Sequence, residues 1–86
     1  KVNPTVLLVD AIERDMEFIM QTRPIKKPIL VAHPFVIAYL KQGMWAYQRK
    51  WYFKYHKWFT LKEDMDMPLI QFTFFDGPED EIRLNG

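Results

Sequence analysis

Between Trp45 and Phe59, eight of fifteen residues are aromatic and four are basic: Arg49, Lys50, Lys54 and Lys57. Rings interleaved with cations are how single-stranded nucleic acids are held. Bases stack on rings at about 1–3 kcal/mol each, and cations neutralise phosphates. The candidate RNA contacts are Arg49, Lys50, Lys54 and Lys57 for phosphates, with Trp45 and Trp51 for bases. On a helix, Lys50, Lys54 and Lys57 fall three and four residues apart, on one face. On a strand, Lys57 would point away from the other two. The same rings have a second reading. A small domain needs its aromatics inside, with lysine stems covering their edges. Both readings hold together if one or two of the eight rings stay outside.

Catalysis is hard to build from the other residues. The chain has no cysteine and no serine, and its aliphatic hydroxyls are Thr5, Thr22, Thr60 and Thr73. No G-x-S-x-G motif occurs, and three glycines cannot make a phosphate-cradling loop. Asp64 and Asp66 stand in a loop-like segment, where two carboxylates alone would hold Mg²⁺ only weakly through waters. Two histidines are too few for a zinc site without other ligands. His33, at a strand-to-helix junction, reads as a packed or capping residue. No catalytic residue and no metal ligand is expected in this chain.

The chain has 86 residues, 49% hydrophobic and 16% aromatic. That is one domain, residues 1–86, with no room for two cores. Its stability should be on the order of 5 kcal/mol. The lack of cysteine excludes disulfides and thiolate metal sites. No run reaches the roughly 18–20 apolar residues of a membrane span. Lys1-Val2-Asn3-Pro4 is not a signal peptide, and without an initiator Met the chain reads as an excised piece. The net charge of +1 conceals a polarity. No Asp or Glu occurs from Phe18 to Lys62, a stretch with nine bases. Seven acids and no base follow between Glu63 and Glu81. Unless folding interleaves them, such blocks give a two-signed surface, which suits either phosphates or self-association.

The elements that would position these residues follow from periodicity. Leu8, Val9, Ile12, Met16, Ile19 and Met20 recur at helical spacing, so a helix is predicted from Pro4 to Thr22, capped by Asn3 and stopped before Pro24. Ile29 to Ala32 reads as a buried strand, with Pro28 at its first position. Pro34 opens a short helix that Gly43 closes. A second short helix is predicted from Met44 to about Lys54, although the aromatics there also suit a strand. Trp58 to Lys62 reads as a strand, Asp64 to Pro68 as a loop, and Leu69 to Phe75 as the clearest strand. The tail 79–86 reads as frayed, apart from a short pairing open to Ile82 and Leu84. The order α-β-α-α-β-β predicts an α+β domain with a small, mainly antiparallel sheet packed against helices.

The segment Leu30-Val31-Ala32-His33-Pro34-Phe35-Val36-Ile37-Ala38-Tyr39-Leu40 resembles a motif of the ribonuclease E/G family. There an apolar strand runs into His-Pro-x-Val-(Ala)-x-Tyr-Leu near the C-terminal end of the catalytic region. His33, Pro34, Val36, Tyr39 and Leu40 match it as they stand. The aromatic-basic tract, followed by Phe72-Thr73-Phe74-Phe75-Asp76, resembles the Bacteroidetes version, and the resemblance runs from about Leu7 to Glu81. It implies a C-terminal small domain of a bacterial, cytoplasmic endoribonuclease, a hydrolase of RNA processing that cleaves single-stranded RNA. The implied role is non-catalytic: supporting quaternary packing and bordering the RNA surface. The parent's Mg²⁺, its catalytic aspartates and any Zn²⁺ would lie upstream. The implied partners are the remainder of the nuclease chain, single-stranded RNA and further copies of the parent. Two rival readings are an independent single-stranded RNA-binding module and a pure oligomerisation domain.

Overall fold

Spacing alone places the first helix correctly. In the computed structural model, which describes residues 4–77 and 81–82, α1 runs Pro4–Thr22. Val9, Ile12, Met16 and Ile19 form its buried stripe, with Leu8 and Met20 packed half-buried against the same core. The Thr22 hydroxyl donates to the Phe18 carbonyl at 2.8 Å, and the helix stops before Pro24. The expected cap, Asn3, lies outside the described residues.

Strand β1 is Pro28–Ala32. It leads through His33 into α2, Pro34–Leu40, and α3, Gln42–Tyr55, then to β2, Thr60–Glu63. Strands β3, Phe72–Asp76, and β4, Glu81–Ile82, complete a sheet of order β2-β1-β3-β4. β1 pairs parallel with β2 and antiparallel with β3, and β3 pairs antiparallel with β4. The fold is thus a small α+β domain with a mixed sheet in which antiparallel pairings predominate. Among the described residues, no helix is long and apolar enough to cross a membrane.

One continuous core joins the α1 stripe to Leu30 and Ala32 of β1, Val36, Ile37 and Leu40 of α2, and Trp51, Phe59, Phe74 and Ile82. Alternation sends the other side chains of β1 and β3 to the opposite face. There Ile29, Val31, Thr73 and Phe75 line a groove of about 770 Å³. The start of β1 is tied to the end of β3. The Lys26 and Lys27 backbone N–H groups donate to Asp76 Oδ1 at 3.1 and 2.8 Å, and Ile25 tucks into the core beside them.

Three elements differ from expectation. β2 begins at Thr60 rather than Trp58, because Phe59 turns inward and its carbonyl accepts from Gln48 Nε2 at 2.7 Å. β3 begins at Phe72 rather than Leu69. β1 offers partners only from Pro28 to Ala32, so Ala32 pairs with Phe72 and nothing remains for Leu69 and Ile70. Those two residues lie exposed beside a turn closed by the Gln71 N–H donating to the Pro68 carbonyl at 3.0 Å. The tail is not frayed at residues 81–82: Ile82 pairs with Phe74 and is buried in the core. Leu84 and the remainder of 79–86 lie outside the described residues. The tract after Gly43 is helix, as its spacing predicts, but it starts irregularly. Gly43, Met44 and Trp45 all take left-handed backbone angles, φ 65°, 56° and 65°. Glycine accepts this freely, whereas each L-residue costs roughly 1–2 kcal/mol. Regular helix resumes at Ala46.

Candidate nucleic-acid interface

Helix α3 sorts the aromatic-basic tract into two faces. Tyr47, Gln48, Trp51 and Tyr55 turn to the core. Trp51 is only 1% exposed. Its ring centroid lies 5.9 Å from Tyr47 and 5.8 Å from Phe59, and its Nε1 donates to Glu13 Oε2 at 2.8 Å. It is therefore a core residue, and the expectation that its ring meets bases is corrected. The reason is helical phase. Residue 51 lies three after the buried Gln48, on the stripe that packs against α1.

The lysines expected to stand without carboxylates are also partly reassigned. Lys50 Nζ lies 3.0 Å from Glu13 Oε2, and Lys54 Nζ lies 2.9 Å from Glu17 Oε1. Their partners come neither from RNA nor from the acidic block after Lys62. They come from α1, which folds its acids onto the base-rich helix. Lys57 does not share their helical face, because α3 ends at Tyr55 and His56 caps it in the left-handed region, φ 60°. Lys57 sits half-buried in the connection to β2. Arg49 is exposed, and its Nη2 donates to the Gly43 carbonyl at 3.3 Å, holding the left-handed turn.

The surface rings of this tract are Trp45, 54% exposed, with Tyr52, Phe53 and Trp58. Trp45 and Trp58 meet edge to face with centroids 6.3 Å apart, Tyr52 lies 6.3 Å from Trp58, and Phe53 lies 6.0 Å from Tyr52. Trp45 keeps its expected surface place. Tyr52, Phe53 and Trp58 were not singled out by sequence reasoning. Once Gln48 is placed inside, Arg49, Tyr52 and Phe53 fall on the outer face at spacings of three and four, so the signal for these rings was present, whereas Trp45 is placed by the left-handed turn. Lys41, at the end of α2, was missed as well. It lines a small pocket with Trp45, Gln48, Trp58, Thr60 and Leu61. Among the described residues, the ion pairs are those of Lys50 and Lys54, which leaves Lys41, Arg49, Lys57 and Lys62 without a carboxylate.

The matching motif residues form the strand-to-helix junction. His33 Nδ1 accepts from the Phe35 N–H at 3.1 Å, capping α2, and Pro34 occupies its first turn. Val36 and Leu40 are buried. Tyr39 is half-buried, its ring 6.1 Å from Tyr47. Asp64 is occupied locally, since its Oδ1 accepts from the Asp66 N–H at 2.9 Å in a turn. Among the described residues, no three His, Asp or Glu side chains come together.

Two groups hold their protons more tightly in the fold. The hydrogen bond with Tyr39, and then burial, raise the Tyr47 phenol above its ordinary 10.0. The hydrogen bond to Glu17 raises the Lys54 ammonium. Both contributions to stability are complete below the ordinary values and are lost as pH climbs through the raised ones. The melting temperature is therefore expected to hold through neutral pH and fall above about pH 10. Tyr47→Phe should make that alkaline fall shallower. A melting curve series that is equally steep for the variant would show that Tyr47 is not involved.

The chain matches no protein-family model, no curated protein and no solved structure.

Proposed function

We propose that this domain is a non-catalytic accessory module that holds single-stranded RNA beside a ribonuclease E/G-like nuclease. The observation that carries the RNA part is the exposed group Trp45, Tyr52, Phe53 and Trp58, with Arg49 and Lys57 on the same tract and Lys41 beside it at the end of α2. Large rings left in water on a domain this small serve a contact, since burying them would have contributed to a scarce core. Stacking on such rings tolerates any base, and the cations meet the backbone. The nuclease part rests on the resemblance of the Leu30–Leu40 segment, whose His33 and Pro34 act as helix-start residues. Coding sequence upstream of Lys1 that lacked a nuclease domain would remove it.

The RNA part is tested by anisotropy with a labelled single-stranded RNA over a salt series. Lys41→Ala and Lys57→Ala should each lower the salt slope by about 0.7. Lys54→Ala, whose ammonium is engaged by Glu17, should leave the slope unchanged. No binding at low salt, or equal slopes for all variants, would leave packing within the parent enzyme or self-association as the role of the domain.

A further inference from the structure

The left-handed turn and the small pocket beside it belong together. Gly43, Met44 and Trp45 take three successive left-handed conformations, although two of them carry side chains that disfavour it. Arg49 secures the turn through the Gly43 carbonyl at 3.3 Å. The result is that Trp45 leaves the helix line and stands edge to face with Trp58 across the start of β2, centroids 6.3 Å apart. Between them and the β2 residues Thr60 and Leu61 lies a pocket of about 210 Å³. That is below the roughly 300 Å³ at which sites for drug-sized ligands begin, so it suits a single ring system. Lys41 stands at its lining and has no carboxylate partner among the described residues.

We propose that this pocket is a slot for one unstacked nucleobase of a single-stranded RNA, stacked on the Trp58 indole with the Trp45 indole as its side wall, and with the Lys41 ammonium meeting the attached phosphate. The proposal rests on the RNA reading above and adds a defined base site to it. The strained turn is then a pre-set wall: the backbone holds Trp45 in place before the strand arrives, so little order is lost on binding. A slot that stacks and does not read base edges accepts any base, and it rejects a backbone without bases.

The experiment compares two labelled twelve-mers on this 86-residue chain: oligouridylate, and a ribose-phosphate chain of equal charge with no bases. Oligouridylate should bind at least about tenfold more tightly and quench tryptophan emission, while both show the same salt slope. Trp58→Ala should lower oligouridylate affinity about tenfold and leave the abasic strand unaffected, and Trp58→Phe should recover most of the loss. Thermal melts of both variants establish that they are folded. Equal affinity for the two strands would overturn the slot and the stacking in the RNA reading alike, whereas wild-type preference for oligouridylate in Trp58→Ala and Trp45→Ala together would overturn the slot alone and leave the RNA reading to Tyr52 and Phe53. Failure of both strands to bind at low salt would overturn both.

Discussion

Trp51→Ala should leave a large share of the molecules unfolded in water. The indole is enclosed between Tyr47 and Phe59 and joins α3 to α1 through the Glu13 carboxylate at 2.8 Å. Removing a buried Trp costs about 3–5 kcal/mol, because transfer free energy is lost and the cavity collapses only in part. Against a total on the order of 5 kcal/mol, little remains. Trp51→Phe keeps most of the ring and loses the hydrogen bond, so it should cost closer to 1 kcal/mol. Urea unfolding followed by far-UV circular dichroism separates these. A midpoint for Trp51→Ala near that of the wild type would mean that the indole is not the centre of the core.

Phe59→Ala should be nearly as damaging, at about 3–4 kcal/mol. Phe59 joins helix to sheet: its ring lies 5.8 Å from Trp51, 6.2 Å from Tyr55 and 6.4 Å from Phe74. Its carbonyl also satisfies the only buried polar side chain among the described residues, Gln48. Phe59→Leu, which keeps most of the volume, should cost under about 1.5 kcal/mol. Because Phe59 and Trp51 touch, the double alanine variant should lose less than the sum of the singles. Where the double variant is too unstable to measure, Trp51→Phe with Phe59→Leu gives the same comparison. Strict additivity there would show that the two rings act independently.

Some of this was readable from residue order and some was not, and the division has a physical basis. α1 was legible because its stripe of Val9, Ile12, Met16 and Ile19 depends only on the 3.6-residue period. The start of α2 was legible because His33 and Pro34 act on their own backbone neighbours. The strand ends were not. Where β3 begins is set by the length of β1, and where β2 begins is set by Phe59 and Gln48 meeting across eleven residues.

The surface site divides the same way. Sequence by itself determined that residues 45–59 concentrate rings and cations, and that Gly43 interrupts the helices. Which rings face water was decided only by tertiary structure. Docking of α3 on α1 drew Trp51 inside and left Trp45, Tyr52 and Trp58 outside. Charge followed the same rule. The local absence of acids made Lys50 and Lys54 look free, yet α1 brings Glu13 and Glu17 to within 3.0 and 2.9 Å of them. Electrostatic partners are chosen by distance in space, and a sequence lists only distance along the chain.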